Sequence, residues 1–589
     1  MPTAPAAERP RSAIGLAGAA AAYLLASILL TWPIVAELRS APFADYGDAR
    51  GWAWSVWATS HPVDSARLLA APFGIHSGDV IYYPIAGGMV ELVARFVGEI
   101  AAMNLFLLLG FPLTALATYW LLDRLLADRA AAFIGGLAFG FCPAAVLHSV
   151  AGQVSLAWNG FVVLFLFALL HNRERRSAGS AFLVAAAFAA TVFTALYIGY
   201  FAVYLGIAFA AWDFATRGEE HGRRIAHSYL LCAAFAVALV APVEWKAVQE
   251  QLTQPHEAIA KAGHLRDVGQ LDIYGSHLWN YLVPSIDHPV LGRFVAPFVR
   301  DRLYGSNAFE QTLYLGVVPL ALVVVGVVLW LTDAFEPRLR RLFLLFGTGA
   351  LGMWMLSLPA HVVDGLPGPS LFAYDFAPMF RVYARAGILV MMFVACAAAV
   401  VLAHLRTRMR PARHRVLVAV ALGMLVFEFW SVPPNRARPI VVPPVYRWLA
   451  AQPGDFIVAE YPMLRFDAAA FYTYPYWQRI HGKRLVNGAS PDNVPAWRLY
   501  EQVRDPSSPG AARALAAVGV RYVIVHKSMF AEGPIPGPIK RYYAPWRAAQ
   551  TVDDGVVPPL PASFALCRSF GTDLVFTLDA HACAMQGHE

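Results

Sequence analysis

Eleven mostly apolar runs, each close to the ~20 residues that carry a helix across a bilayer, dominate this 589-residue chain. They lie near 13–35, 101–122, 130–147, 154–170, 180–196, 197–214, 225–242, 311–331, 342–358, 386–404 and 416–432. A backbone in hydrocarbon must satisfy its own amides, so the runs are expected to be helical. The pair 180–196 and 197–214 is the least distinct, because almost nothing separates the two runs. Charged residues make up 14% against ~25% in an ordinary globular protein, while hydrophobic residues reach 58% and mean hydropathy is +0.51. A soluble domain has too little interior for that apolar surface. Intrinsic disorder, a secreted disulfide scaffold and a coiled coil are excluded on the same grounds. The expected fold is a polytopic α-helical membrane protein with about eleven transmembrane helices. The first run reads as a span and not as a cleaved signal peptide, since it is long and leads into Trp32-Pro33.

The formal charge of +7 does not indicate nucleic acid, because the arginines gather in short clusters between apolar runs. Arg9 and Arg11 precede the first run, and Arg124, Arg129, Arg173, Arg175, Arg176, Arg217, Arg223 and Arg224 follow the second, fourth and sixth. Arg338, Arg340 and Arg341 follow the eighth; Arg406, Arg408, Arg410, Arg413 and Arg415 follow the tenth. Such clusters resist translocation, and all fall on one side if the N-terminus is cytoplasmic. The long segments 36–100 and 243–310 and the tail 433–589 are then external. An Ala- and Arg-rich composition points to the inner membrane of a bacterium with a GC-rich genome, with the tail periplasmic or extracellular.

Two domains follow: a membrane domain at 1–432 and an external α/β domain at 433–589. After the Pro-rich segment 431–444, VYRWLAA at 445–451 reads as helix and FIVAEYP at 456–462 as strand. GAARALAAVG at 510–519 and VRYVIVH at 520–526 repeat that alternation. Cys142, Cys232 and Cys396 lie in apolar runs and read as small buried hydrophobes. Cys567 and Cys583, in the tail, can pair if it faces an oxidising compartment.

Residues able to do chemistry collect on the external side. Asp45 and Asp48 precede a cluster of Trp52, Trp54 and Trp57, which reads as a helix along the bilayer interface. A carboxylate there is placed to act as a base; the alternative is a solvated acid or a helix cap. Arg381 and Arg385, at i and i+4 before the tenth run, share one face if helical. Guanidiniums so paired suit a lipid phosphate, or else anchor the chain or pair with Asp375 or Glu310. Glu310 reads by default as a first-turn acid complementing a helix dipole. His148 and Gln153 form a short external turn that is placed to contact a sugar; the alternative is a turn histidine with no specific role. Glu91, Arg95 and Glu99 are expected to pair with one another. P-loop, Rossmann, nucleophile-elbow and HExxH motifs are absent, as are metal-type Cys/His clusters.

In order along the chain stand YGDARGWAW, YYP at 82–84, MNLFLLLGFPLTALATYWLL at 103–122, the H…GQ…W run at 148–158, FEQTLYLGVVPL at 309–320 and MFRVYARAG at 379–387. VYRWLAAQPGDFIVAEYP, HGKRLVNG at 481–488 and ALAAVGVRYVIVH complete the series in the tail. With them the chain resembles the GT-C superfamily of integral-membrane glycosyltransferases, in particular bacterial GT-C-like proteins with a soluble C-terminal domain. The resemblance implies a sugar donor on a polyprenyl phosphate, reached from the external leaflet, and inverting transfer to an envelope glycan, lipid or protein. It implies Asp48 as the base with Asp45 beside it, Arg381 and Arg385 on the donor phosphate, and His148, Gln153 and Glu310 as sugar or acceptor contacts. It makes no cofactor certain and leaves a divalent metal open, because acidic pairs in such enzymes either bind one or do not. The alternatives are a non-catalytic scaffold of an envelope-polymer assembly and a lipid-linked-sugar transporter or flippase. Transporters place ionisable groups at the bilayer midplane, whereas here they gather at one face. A topology reporter fused after Glu589 is expected to be active only outside the cytoplasm; activity inside would reverse the assigned orientation.

Overall fold

Each expected apolar run is a helix in the computed structural model. Its described residues are 13–44, 46–61, 64–75, 83–253, 268–363, 366–432, 439–465, 470–490, 493–531, 535, 537–543 and 557–578. Asp45, Cys583, Arg9 and Arg11 lie outside them. The chain opens with α1 (Ala13–Thr31), α2 (Asp48–Ser60), α3 (Pro84–Val97), α4 (Glu99–Leu126), α5 (Arg129–Gly140), α6 (Pro143–Val150), α7 (Gly160–Arg175) and α8 (Ala178–Thr194). A helical run at Leu196–Thr253 contains two limbs, α9 (Leu196–Arg217) and α10 (His221–Trp245). The limbs double back: the Tyr229 hydroxyl donates to Asp213 Oδ2 at 2.9 Å, whereas sixteen residues of straight helix would separate them by ~24 Å. Then come α11 (Gly269–Tyr274), α12 (Val317–Leu331), α13 (Pro337–Ser357), α14 (Gly387–Arg408) and α15 (Pro411–Glu428).

Among the described residues six helical segments are long and apolar enough to cross a membrane: α4, the α5–α6 segment, α9, α10, α13 and the segment Tyr383–Arg408 that contains α14. Shorter apolar helices occur in α1, α8 and α12. α7 and α15, of 16 and 18 residues, coincide with the two remaining expected spans. α14 runs through the centre and packs on α5, α12 and α13. Small residues permit that approach: a Cβ on Gly135 would lie 3.2 Å from the Ala399 Cβ.

The tail folds as the alternation predicts. It contains α16 (Pro444–Ala451), β1 (Ile457–Tyr461), α17 (Thr473–His481), β2 (Arg484–Leu485), α18 (Val494–Val503), α19 (Ala511–Ala517), β3 (Val520–His526), β4 (Ala565–Phe570) and β5 (Asp573–Thr577). The sheet order is β2-β1-β3-β5-β4; β1 runs parallel to β2 and β3, and β5 antiparallel to β3 and β4. The segment between α1 and α3 joins this domain. Leu485 N donates to Leu68 O at 2.9 Å, and Ala71 N donates to Leu485 O at 2.8 Å. Trp54, Leu68 and Leu69 share an apolar cluster with Tyr446, Leu449 and Ile524.

Two expectations are corrected here. Trp52 and Trp54 are each 2% exposed, so α2 is enclosed between membrane domain and tail and does not lie along the bilayer interface. Burying two indoles removes more apolar surface from water than a headgroup layer would. Glu99 pairs with Arg479 of the tail, not with Arg95. Cys567 is disulfide-bonded, while Cys142, Cys232 and Cys396 are free and buried, as their apolar setting predicts.

The tail's core holds a buried polar group at the ends of β1, β3 and β5. His526 lies between Glu460 Oε2, 2.9 Å from Nε2, and Asp573 Oδ1, 2.9 Å from Nδ1. The Tyr446 hydroxyl donates to Glu460 at 2.7 Å. Burial disfavours the imidazolium, but hydrogen bonds and charge from Asp573 and Glu460 outweigh it and raise the His526 pKa to about 9. A group raised from ~6.5 to about 9 contributes fully below the lower value and loses that contribution as pH climbs through the upper. Thermal unfolding of the full chain should therefore show a stability loss of ~3 kcal/mol between pH ~6.5 and ~9.5. That loss should vanish in His526→Gln.

Candidate functional site

A cleft of about 450 Å³ opens between the start of α2, the turn after α6 and the start of α9. Its lining includes Asp48, Trp52, Tyr83, Gln153, Leu156, Tyr197 and Arg385. Asn104 of α4 ties down the chain that enters it, accepting from Phe43 N at 3.0 Å and donating to Leu38 O and Ala41 O at 3.0 and 2.8 Å. The turn after α6 presses against α2. Gly152 has φ +88°, and a Cβ there would lie 2.2 Å from Ala49 N, so only glycine fits. That contact brings Gln153 within hydrogen-bonding reach of Asp48. Asp48 is the first residue of α2 and does not cap it.

On the far wall Arg385 sits in the 3-10 turn Tyr383–Ala386. Its Nε donates to Glu310 Oε2 at 3.1 Å and its Nη2 to Glu310 Oε1 at 2.6 Å, a bidentate pair. The guanidinium lies over the Tyr197 ring, 4.4 Å from its centroid. Glu310 is not acting as a helix-dipole acid. Asn307 caps its short turn, accepting from Glu310 N at 3.0 Å, which releases the carboxylate for Arg385.

Gln153 joins the two walls. Its Nε2 donates to Glu310 Oε1 at 3.2 Å, and its Oε1 lies 2.6 Å from His148 Nδ1. Because the amide nitrogen faces Glu310, its oxygen must accept, and His148 carries its proton on Nδ1. His148 and Glu310 are thus buried behind the cleft, which they influence through Gln153 and Arg385.

Arg381 and Arg385 do not share a helical face, because residues 377–382 are not helical. Arg381 turns to α11, where its Nη1 donates to Gln270 Oε1 at 2.8 Å and its guanidinium lies 5.2 Å from the Tyr274 ring centroid. Both arginines still act electrostatically on Asp48.

Two carboxylates here behave oppositely. Burial pushes the Asp48 carboxyl above its ordinary value; Glu310 adds to that, while Arg385, Arg381 and Gln153 pull against it. Burial acts the same way on Glu310, but Arg385, His148 and Gln153 outweigh it and hold the carboxyl at about 2. Glu310 is therefore a permanent anion and Asp48 the group that titrates. Burial also keeps Tyr83 neutral, its pKa pushed up to about 12. A hard divalent ion needs several oxygen donors. Among the described residues no group of three His, Cys, Asp or Glu side chains is arranged to hold one, and no step below passes through a metal.

Of the residues that stand out in the sequence, Asp48, Gln153 and Arg385 line this cleft; Tyr197, which lines it too, and Gln270, which holds Arg381, do not stand out, and Trp52 reads there as an interfacial anchor. Tyr197 reaches the cleft because Ala195 is extended (φ −149°, ψ 97°), breaking the helix between α8 and α9. The break falls where the runs 180–196 and 197–214 meet, although almost nothing in the sequence separates them.

No protein-family model matches this chain, and no curated protein matches it. Solved structures do. The Archaeoglobus fulgidus oligosaccharyltransferase tethered with an acceptor peptide is similar over 97% of this chain and 75% of its own, at 12% identity and TM-score 0.50. Arabinofuranosyltransferase AftD from Mycobacteria is similar over 96% of this chain and 40% of its own, at 16% identity and TM-score 0.49. ArnT from Cupriavidus metallidurans, bound to undecaprenyl phosphate, is similar over 96% and 98%, at 13% identity and TM-score 0.40. The likeness is one of fold: the chain is a multi-pass membrane protein with the GT-C fold.

Removing Glu310 leaves a buried guanidinium without its counter-charge. Glu310→Gln is expected to destabilise the protein by ~3–5 kcal/mol, read as lowered thermal unfolding in detergent. Unchanged unfolding would mean that the pair contributes little.

Proposed function

We propose that this protein is an inverting glycosyltransferase that moves a sugar from a polyprenyl-phosphate donor to an envelope glycan, lipid or protein at the external membrane face. One observation carries the reading: Asp48, a carboxylate that titrates, and Arg385, a fixed cation, line the same cleft. The likeness to an oligosaccharyltransferase fold supports it. A polyprenyl tail is confined to the bilayer, so its headgroup is presented where the external loops meet the helices, and no nucleotide-binding fold is needed.

In this mechanism the acceptor hydroxyl attacks the anomeric carbon from the side opposite the phosphate. Asp48 takes the hydroxyl proton as the new C–O bond forms. The bond from the anomeric carbon to the phosphate oxygen breaks, and the lipid phosphate leaves with its electron pair. Arg385 stabilises the charge growing on that leaving group. Its Nε and Nη2 are held by Glu310, so Nη1 is the edge assigned to the phosphate, with Arg381 at the rim. Asp45, beside this base in sequence, is kept as a second acid of the site. Gln153 orients Asp48 and contacts sugar or acceptor; Trp52 and Leu156 form the apolar wall that limits water. His148 and Glu310 serve through Gln153 and Arg385 instead of touching the sugar.

The arginine clusters on one side and the disulfide at Cys567 in the tail support an external tail, a cytoplasmic N-terminus and the bacterial inner membrane. Purified protein supplied with labelled polyprenyl-phosphate sugars and envelope acceptors tests the proposal. Asp48→Asn is expected to lower turnover ~10²–10⁴-fold, and Arg385→Lys to raise the donor KM, since a lysine cannot keep the bidentate pair. The base must be ionised, so kcat/KM should fall as pH drops through the raised Asp48 value, above the ordinary carboxylate range. Full turnover in Asp48→Asn removes that residue as the base. No transfer from any donor supports the scaffold, and lipid-linked sugar crossing liposomes without a new glycosidic bond supports the flippase.

A further inference from the structure

We infer that the C-terminal domain is a two-point clamp that fixes Asp48 and Arg385 relative to each other, with Gln478 and Tyr542 as its positioning residues. The inference rests on the transferase reading for its kinetic consequences, though not for its mechanical ones.

The first grip is on α2, which begins with Asp48. Trp54 Nε1 donates to Gln478 Oε1 at 2.7 Å, and both side chains are buried. The Gln478 amide nitrogen donates to Leu68 O and Lys483 O, each at 2.8 Å, so its orientation is set. Four residues before Trp54, Arg50 Nη1 donates to Thr473 Oγ1 at 3.1 Å. Between them the Tyr472 ring lies flat on Gly51, where a Cβ would come within 2.9 Å of Cε1. Thr473 and Gln478 of α17, and the residue before the helix, thus hold α2, which begins with Asp48.

The second grip is on the segment that carries Glu310. Tyr542 O accepts from Ala308 N at 2.7 Å, and the Tyr542 ring stacks on Phe309 with centroids 4.3 Å apart. A β-bridge joins Asn307 and Tyr543. The Tyr542 hydroxyl donates to Asp287 Oδ2 at 2.7 Å, and Arg541 Nη2 lies 2.8 Å from Asp287 Oδ1, which anchors this stretch to the second external segment. Glu310, two residues beyond Ala308, then holds Arg385. Residues 48 and 310 come from distant parts of the chain, and besides the membrane helices and the Gln153 bridge both rest on this domain. A misplacement of about 1 Å from outside a site can cost ~10²-fold in rate.

The two grips make different predictions. Gln478→Ala, with the milder Thr473→Val beside it, should raise amide hydrogen exchange across α2 by ~10-fold or more. It should lower kcat ~10-fold with the donor KM unchanged, and shift the acid limb of the pH profile toward an ordinary carboxylate as Asp48 becomes wetter. Tyr542→Ala should instead raise the donor KM and weaken binding of a sugar-free polyprenyl phosphate ~10-fold, with kcat kept. Tyr542→Phe retains the ring stack and the backbone carbonyl and should restore the wild-type value. Unchanged exchange across α2 in both α17 variants overturns the clamp, as does an equal loss in kcat and KM from both grips. If the wild type neither binds the lipid phosphate nor transfers sugar, the transferase reading fails, and the exchange measurement still decides the clamp.

Discussion

The Arg385–Glu310 pair governs the geometry of the site. A guanidinium buried at the entry of the central helix is tolerable only beside a carboxylate that meets both of its hydrogen-bonding edges. That requirement brings the segment 307–311 to the mouth of α14, although it belongs to a different external stretch of the chain. Once there, Glu310 is too firmly paired to exchange protons near neutrality. Its negative charge and the local burial both act on Asp48, and they favour the protonated form. The same pair therefore provides a fixed cation on one wall and helps tune the acid on the other.

The cleft exists because packing is interrupted in two places. Between α8 and α9 one extended residue lets Tyr197 turn inward under Arg385. Between α6 and α7 a glycine in the left-handed region lets the chain lie on α2. Both interruptions sit among buried helices, where a break in helical bonding needs compensation. Backbone bonds within the turn supply some of it after α6, where Gly152 N donates to Ser149 O at 3.1 Å and Gln153 N to His148 O at 2.9 Å.

The segment between α1 and α3 belongs as much to the tail as to the membrane domain. Residues 68–71 hydrogen-bond beside β2, and Trp54 lies in the tail's apolar cluster. The tail is thus a wall of the site's surroundings and not an appendage on a linker. It also carries its own polar core, where His526 between two carboxylates resembles an internal salt bridge more than a reactive group.

Much was legible in the sequence, for physical reasons. Apolar runs of bilayer length become helices because hydrocarbon offers the backbone no other partner, and the alternation in the tail predicted α16, β1, α19 and β3. Asp48, Gln153 and Arg385 stood out as polar groups placed beside apolar helices on one side of the chain. Their partners did not stand out. Glu310 looked like a helix-dipole acid, Glu99 like a neighbour of Arg95, and the tryptophans of α2 like interfacial anchors. Each of those readings used contacts within a few residues, which is the range over which a sequence pattern specifies geometry. Which distant carboxylate meets which arginine depends on how helices pack and how loops cross. The sequence by itself determined the helical membrane architecture; only the tertiary structure decided that Glu310 neutralises Arg385, that Tyr197 lines the cleft and that the tail contacts both walls, because these contacts join segments that close together only when the whole chain packs.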